Sequence, residues 1–254
     1  AGGAGGHEDL ECGATFAPCL DRTMRILAEH QAGETVVRVL ETVSDGSRRY
    51  YDGATLYTAV DREGHNLLEY IFAMARVLKD PESLLLLGTA GGALATKLAR
   101  RGHSVTAVDS SAVAFDLARA WFQLPPEVEC VQADALEFLL ATTRQWEAIA
   151  VDVFHGADIP ESMLTQDVGK LLAHALKPGG RIVWNVADAP NSWAVHRIMR
   201  AMRLAGFQPF TLAVIEGGVG NTLVVCRDAL GSRRDDGGLA PLDQPHTPTR
   251  AFAA

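Results

Sequence analysis

Residues 84–109 read LLLLGTAGGALATKLARRGHSVTAVD, and this stretch decides the fold. An apolar run is followed by a glycine turn, a helical segment and a second apolar run that ends on Asp109. This order is typical of a parallel β-strand, a crossover helix and a second parallel strand. Because ligands bind beyond the carboxyl ends of such strands, the turn and Asp109 are predicted to face one crevice.

The same alternation extends well beyond this stretch. Strand-like apolar runs and helical segments alternate from residue 83 onward, and two strand-like runs joined by a glycine-rich turn follow at 209–228. Near-continuous apolar strands indicate parallel strands covered by helices on both faces. The predicted fold is α/β: a doubly wound, mostly parallel, seven-stranded Rossmann-like sheet with an antiparallel edge pair.

The chain divides into four predicted segments. Residues 35–62 carry β-branched and aromatic runs separated by hairpin turn residues, which predicts a small N-terminal β-hairpin domain. Residues 63–228 form the main α/β domain. Residues 1–34 are an N-terminal extension with a short amphipathic helix predicted at 15–31. Residues 229–254 are rich in proline, glycine and charge, which predicts disorder.

Composition limits the classes of function. The formal net charge of −8 argues against a nucleic-acid binder and suits a cationic small molecule. No apolar run is long enough for a membrane span, and the first residues do not resemble a signal peptide, so we expect a cytoplasmic protein. The scattered cysteines indicate neither a disulfide framework nor a zinc site. They are Cys12, Cys19, Cys130 and Cys226.

The glycine turn indicates which ligand the crevice accepts. A dinucleotide site needs G-x-G-x-x-G, but Gly88 is followed by Ala90 and Ala93, and the methyl group of Ala90 stands where backbone must approach a pyrophosphate. Asp109 still fits an acid that binds both ribose hydroxyls. A nucleoside without pyrophosphate, such as S-adenosylmethionine (AdoMet) or its decarboxylated form, satisfies both observations. Alternatively, the glycines make a tight turn only and Asp109 caps the next helix.

Several segments together resemble the spermidine synthase-like (polyamine aminopropyltransferase) branch of the class I AdoMet-dependent methyltransferase superfamily. The resemblance covers roughly residues 35–226, and its most specific part is the Asp152 segment followed by LLAHALKPGG. The segments are LLLLGTAGGALATKLARRGHSVTAVDSS, ARAWFQLP, VQADALEFL, AVDVFHGADIPESMLTQDVGKLLAHALKPGGRIVWNV and GNTLVVC.

The resemblance implies a donor site and a catalytic carboxylate. Asp109 is expected to bind the ribose, Asp134 and Ala135 to meet the adenine, and the glycine turn to line the methionine side. Asp152 matches the family's catalytic carboxylate. His155 stands where the family has a second Asp, and a histidine is well matched as a base at neutral pH. The cofactor-binding residues implied are Gly88, Ala90, Gly92, Asp109, Asp134 and Ala135.

The acceptor side departs from the family pattern. Gly91 replaces an Asp that is implied to hold the ammonium of an aminopropyl group. Tyr57, His65 and Asp158 are the candidate substrate-binding residues, although Tyr57 can instead pack on its sheet and Asp158 can begin a turn. The nucleoside site is therefore expected to be intact and the amine-recognition set depleted.

The function expected from this resemblance is transfer of an aminopropyl or related alkyl group from decarboxylated AdoMet or AdoMet to a small amine or other nucleophile. An AdoMet-dependent small-molecule methyltransferase and a catalytically degenerate nucleoside-binding homologue are the alternatives. We expect no metal, no nucleic-acid partner and no membrane partner. Homodimers are common in the resembled family.

Overall fold

Two β-sheets organise the computed structural model, which describes residues 23–33, 35–216 and 219–227. The N-terminal sheet is antiparallel, with its strands in chain order. It consists of β1 (Met24–Ala32), β2 (Thr35–Thr42), β3 (Arg48–Asp52) and β4 (Thr55–Val60).

The predicted helix at 15–31 is wrong over the part that the structure describes, because residues 24–31 belong to β1. This strand pairs with β2 from Met24, opposite Thr42, to Ala32, opposite Thr35. A register shift between Ile26 and Ala28 breaks the alternation of inward and outward side chains that identifies a strand in a sequence. The N-terminal sheet therefore begins inside the predicted extension, ahead of the 35–62 domain.

The second sheet has seven strands in the order β10-β11-β9-β8-β5-β6-β7. Strands β5 to β9 run parallel, whereas β11 runs antiparallel to both β9 and β10. This arrangement confirms the predicted doubly wound sheet with its antiparallel edge. The strands are β5 (Ser83–Leu87), β6 (Ser104–Asp109), β7 (Glu129–Gln132), β8 (Trp146–Val151), β9 (Leu176–Val186), β10 (Phe210–Glu216) and β11 (Val219–Arg227).

Helices alternate with the strands of this sheet. The helices are α1 (Glu69–Leu78), α2 (Ala93–Ala99), α3 (Ala114–Trp121), α4 (Ala135–Ala141), α5 (Gln166–Ala175) and α6 (Trp193–Leu204), and a 3₁₀ turn spans Glu161–Leu164. Within the described residues, no helix combines the length and apolarity needed to span a membrane.

Two hydrophobic cores lie on opposite faces of the seven-stranded sheet. Alternate residues of β5 supply both, since Leu84 and Leu86 face the core that contains α1 and α2, whereas Leu85 and Leu87 face the core that contains α5 and α6. All four leucines are at most 1% exposed. Burial on both faces explains why this strand reads as an unbroken apolar run.

The cysteines and one tryptophan illustrate the packing of these cores. Trp184 is buried in β9. Cys226 is buried and Cys130 half-buried, and both are free thiols. Cys12 and Cys19 lie outside the described residues, as does the predicted disordered segment 229–254.

Gly88 ends β5 with a φ of +82°, and a Cβ built there would overlap the backbone carbonyl oxygen of Asp152. Gly102 has a similar φ of +89° but nothing within 4 Å of the built Cβ. We expect Gly88→Ala to lower the unfolding free energy by about 3 kcal/mol or more, because a backbone clash adds to the left-handed strain. Gly102→Ala should lose about 1 kcal/mol, from the strain alone.

Urea unfolding of both variants measures the difference. Equal losses at the two positions would mean that the contact between Gly88 and Asp152 does not constrain the fold.

Candidate active site

A cavity of about 1710 Å³, here called the central cleft, lies between the N-terminal sheet and the carboxyl ends of β5, β6 and β8. Pockets for single drug-sized ligands span roughly 300–1,000 Å³, so the central cleft is larger than a single such ligand needs. It is lined by most of the predicted site residues, namely Tyr57, Gly88, Ala90, Asp109, Asp134, Ala135, Asp152, His155 and Asp158.

The glycine turn between β5 and α2 adopts backbone conformations that suit glycine. Gly88 and Gly92 have φ values of +82° and +74°, and Gly92 is the N-cap of α2. Ala90 also has a positive φ, +46°. Gly92 is not among the residues that line the central cleft, so its contribution there is to the shape of the turn.

Asp109 holds this turn in place. Its Oδ2 accepts hydrogen bonds from the backbone amides of Thr89 (2.8 Å) and Ala90 (2.9 Å), and its Oδ1 accepts one from Ser111 (2.9 Å). A carboxylate offers about four acceptor sites. One acceptor site is left, and Asp109 lines the cleft. The alternative that Asp109 caps the next helix is wrong, because the N-cap of α3 is Val113 and has no side-chain cap hydrogen bond.

Asp134, at the carboxyl end of β7, both caps a helix and lines the cleft. Its Oδ1 caps α4 by accepting from the amides of Leu136 (2.8 Å) and Glu137 (3.1 Å). Among the described residues no donor bonds to Oδ2, and the residue is exposed in the central cleft. Ala135 is the buried first residue of α4 and lines the cleft beside it.

Asp152 follows β8 and is the half-buried carboxylate of the central cleft. Asn185, at the end of β9, donates from Nδ2 to its Oδ1 at 2.7 Å. Burial raises the pKa of Asp152 to about 6, while the hydrogen bonds from Asn185 and Tyr70 act in the opposite direction. At neutral pH the group is therefore mostly ionised, yet it is basic enough to accept a proton.

Two tyrosines join the N-terminal sheet to this carboxylate. The Tyr70 hydroxyl, on α1, lies 3.5 Å from Oδ2 of Asp152 and 3.2 Å from the carbonyl oxygen of Tyr57. The Tyr57 hydroxyl donates to the carbonyl oxygen of Gly156 at 2.8 Å. Burial raises the pKa of both phenols, and the Asp152 charge adds to this effect at Tyr70. Both therefore act as neutral hydrogen-bond donors.

The loop after β8 carries the remaining two predicted residues of the cleft. His155 and Asp158 are joined by reciprocal backbone hydrogen bonds, 2.8 Å from the His155 amide and 3.2 Å from the Asp158 amide. Both side chains are exposed at the cleft. Asp158 thus ends a tight turn that starts at His155, rather than beginning one, and it lines the cleft.

His65 is the predicted substrate-binding residue that the structure does not bring to the cleft. Its side chain is 69% exposed, and its Nδ1 lies 3.1 Å from Oδ2 of Asp61. The Asp61 carboxylate also accepts from the His65 backbone amide at 2.7 Å, which fixes a turn after β4 on the outer surface. Possible ligand atoms of Asp61, Glu63 and His65 lie within 4.8 Å of one another, although exposed acidic groups often cluster without a metal.

Parts of this chain are similar in sequence to known transferases. A sequence model of the methyltransferase domain family matches residues 84–180. The polyamine aminopropyltransferase of Chromobacterium violaceum is 33% identical over 127 residues, which are 47% of this chain and 49% of that protein. The chain therefore matches about half the length of this curated relative.

Solved structures extend the similarity to the N-terminal sheet. A probable spermidine synthase from Corynebacterium glutamicum superposes with a TM-score of 0.69 at 19% identity, over 79% of both chains. The spermidine synthase of Thermotoga maritima gives 0.64 at 14% identity, over 81% of this chain and 74% of that one. The chain has a spermidine synthase-like fold.

A spermidine synthase in complex with the transition-state analogue AdoDATO gives a TM-score of 0.65 at 14% identity, again over 81% and 74% of the two chains. At these identities the likeness establishes the spermidine synthase-like fold alone. The chemistry has to be argued from the residues of this chain.

Position 91 is in close contact with the N-terminal sheet. A Cβ built on Gly91 would lie 2.8 Å from Cγ2 and 3.0 Å from Oγ1 of Thr58. The Thr58 hydroxyl accepts from the Gly91 amide at 3.1 Å and is itself buried. The N-terminal sheet therefore fills the space that an acidic side chain at this position would need.

Three residues of the hydrogen-bond network around Asp152 are missing from the sequence prediction: Tyr70, Asn185 and Asn221. Asn221 donates from Nδ2 to Oδ1 of Asn185 at 2.9 Å and also lines the central cleft. Asn185 gives one usable signal in the sequence, because it is a polar residue in the buried run RIVWNV and a buried amide needs a partner. Tyr70 reads as an ordinary member of an amphipathic helix.

We expect Asp152→Asn to stabilise the protein at neutral pH. A carboxyl whose pKa is raised to about 6 by folding destabilises the folded state. This penalty is absent below the pKa of the unfolded chain, grows as pH rises between the two pKa values, and is complete above about 6. The variant should gain on the order of 1–2 kcal/mol in unfolding free energy at pH 7.5 and about half of that at pH 5.

Chemical denaturation at both pH values checks this difference. Asp167→Asn, which removes a surface acid paired with Lys170, is the matched control and should show no such pH-dependent gain. A loss of stability in Asp152→Asn at pH 7.5 would contradict the buried-carboxylate interpretation.

Proposed function

We propose that this protein is an alkyl transferase that moves an aminopropyl group from decarboxylated AdoMet to a small amine. The observation that carries the proposal is the half-buried Asp152, hydrogen-bonded by Asn185 and next to the glycine turn in one cleft larger than a single drug-sized ligand needs. The aminopropyltransferase relative and the spermidine synthase-like fold support the same reaction class.

The residues present fit a nucleoside donor. Asp109 retains one acceptor site and Asp134 an oxygen without a described donor, so both can accept hydrogen bonds from hydroxyl or amino groups. Ala90 places a methyl group in the turn, which suits a ligand that brings no pyrophosphate to this point. The sulfonium of such a donor supplies an electrophilic carbon with a thioether leaving group.

Asp152 then acts on the acceptor amine. An amine that resembles lysine is protonated at pH 7, and its neutral form costs about 4–5 kcal/mol. Asp152 orients the ammonium, accepts its proton and so frees the lone pair that forms the new C–N bond. The C–S bond breaks with its electron pair going to sulfur, which leaves methylthioadenosine. Tyr70 and Asn185 hold the carboxylate in position, and the Tyr57 bond to Gly156 closes the loop beside it.

The charge of the cleft favours the decarboxylated donor over AdoMet. Neither lysine nor arginine is found among the described residues that line it. Arg197 does not line the cleft, and its guanidinium pairs with the lining residue Glu161 at 3.2 Å. A carboxylate on the donor therefore meets no cationic partner, which is unfavourable in a partly buried site. The acidic lining residues are Asp52, Asp109, Asp134, Asp152, Asp158, Glu161 and Asp188.

Methyl transfer from AdoMet is the second candidate, and one observation favours it. Thr58 fills the space beside Gly91, so the acid that the family uses for the aminopropyl ammonium has no room here. An aminopropyl donor must then place its ammonium against another acid of the cleft. Aminopropyl transfer remains the preferred function because those acids are numerous. A homodimer, a cytoplasmic location and the lack of a metal stay predictions from the sequence.

Calorimetric titration with decarboxylated AdoMet, AdoMet and methylthioadenosine tests the donor. We expect decarboxylated AdoMet to bind at least about tenfold more tightly than AdoMet, because only AdoMet brings a carboxylate into the acidic cleft. Tighter binding of AdoMet would transfer the assignment to methyl transfer. Binding of none of the three would reject the donor site altogether.

Turnover with a panel of diamines, followed by mass spectrometry of the products, tests the catalytic group. Asp152→Asn should lower kcat by about 10²- to 10⁴-fold, whereas Asp167→Asn should behave as wild type. For the wild-type protein, kcat/KM should fall about tenfold per pH unit below about 6, since protonated Asp152 accepts no proton. A flat profile between pH 5 and 7 would remove Asp152 from the role of base.

A further inference from the structure

Three polar side chains form a line across neighbouring strands at one edge of the main sheet. Asn221 on β11 donates to Asn185 on β9 at 2.9 Å, and Asn185 donates to Asp152 after β8 at 2.7 Å. Strand β11 pairs with β9, and β9 pairs with β8. The line therefore follows the hydrogen-bonding direction of the sheet and ends on the carboxylate of the central cleft.

The pleat of the sheet explains why these residues meet. Val183 on β9 and Leu223 on β11 face the core that contains α1, as does Ala150 on β8. Asn185, Asn221 and Asp152 each lie two residues from one of these, and side chains two apart on a strand share a face. All three polar groups therefore lie on the face that α1 covers, past the last apolar layer.

The direction of the hydrogen bonds is set by chemistry. An ionised carboxylate only accepts, so Asn185 must turn its NH₂ group toward Asp152 and its oxygen away from it. That oxygen needs a donor, because Asn185 is only 2% exposed and a buried unpaired oxygen is costly. The Asn221 amide supplies the donor. With Asn221 in place, a flipped Asn185 amide would turn its NH₂ group toward the NH₂ group of Asn221. Its oxygen would then face the carboxylate oxygen of Asp152, so neither hydrogen bond could form.

We propose that Asn185 and Asn221 are positioning residues that act as an amide relay, in which Asn221 fixes the orientation of the Asn185 amide and Asn185 in turn holds Asp152 in its ionised, proton-accepting form. The relay links the terminal β10–β11 hairpin to the carboxylate at the centre of the sheet. Its kinetic consequence rests on the proposed alkyl transfer, whereas its effect on the ionisation of Asp152 does not.

Other charged groups share the cleft with Asp152 and have to be separated from the relay. Because histidines as a class change charge between pH 5 and 8, the titrations described below are repeated in a His155→Gln background. The titratable side chains that line the cleft with Asp152 are Tyr50, Asp52, Tyr57, Tyr70, Asp109, Asp134, His155, Asp158, Glu161 and Asp188.

The direct test follows the Asp152 carboxyl by ¹³C NMR in protein labelled at the aspartate side-chain carbons, with its signal assigned by its loss in Asp152→Asn. Asn185→Leu should lower the acid dissociation constant of Asp152 about tenfold, because a hydrogen bond to the charged form is lost. Asn221→Leu should lower it about threefold, and this effect should vanish when Asn185→Leu is already present.

Thr222→Val is the matched control. Thr222 is fully buried on the same strand, next to Asn221, and its hydroxyl donates to the carbonyl oxygen of Asp188 at 2.6 Å. The change removes a buried hydrogen bond without touching Asn185 or Asp152. The Asp152 titration should therefore stay at its wild-type midpoint. An equal shift in Thr222→Val, or additive effects of the two asparagine variants, would overturn the relay.

The kinetic readout separates the relay from the proposed function. In Asn185→Leu the loss of kcat/KM should be several-fold at pH 6 and should disappear above about pH 8.5, where Asp152 is ionised in either protein. A loss that is constant with pH would mean a merely structural role and would overturn the proposal. If the wild-type protein shows no turnover, alkyl transfer fails, and the NMR titration alone decides the relay.

Discussion

The backbone contact between Gly88 and Asp152 is the constraint on which the rest of the site depends. The end of β5 approaches the carbonyl oxygen of Asp152 so closely that no side chain fits between them. This approach brings the glycine turn, which Asp109 holds, next to the carboxylate at the end of β8. The glycine turn and the Asp152 carboxylate thus share one cleft because two neighbouring parallel strands end at the same level.

The N-terminal sheet completes the cleft and alters its chemistry. The hydroxyl of Thr58 on β4 accepts a hydrogen bond from the Gly91 amide in the glycine turn. The hydroxyl of Tyr57 donates a hydrogen bond to the loop after β8. The same sheet contributes Asp52 to the acidic lining. The described lining residues include several acids but neither lysine nor arginine.

Much of this architecture follows from local patterns in the sequence. A parallel sheet with a crevice at its carboxyl edge is predicted by the apolar run at β5, the glycine turn and Asp109. These patterns can be recognised in the sequence because each of them spans only a few consecutive residues. Strand β1 escapes prediction because the irregularity near Ile26 breaks its alternation. Tyr70 and Asn185 escape because they reach Asp152 only through tertiary contacts, 82 and 33 residues away along the chain. His65 is misplaced because its own turn bonds direct it outward.

The side chain of Thr58, in the N-terminal sheet, fills the space that a side chain at position 91, in the main domain, would need. An aspartate at 91 and a threonine at 58 exclude each other sterically, since even a Cβ at 91 comes within 3.0 Å of three atoms of Thr58. A side chain at position 91 therefore requires a smaller residue at position 58. Relatives with an acid in the glycine turn should carry glycine or alanine at the position of Thr58, and the two sites should covary although 33 residues separate them.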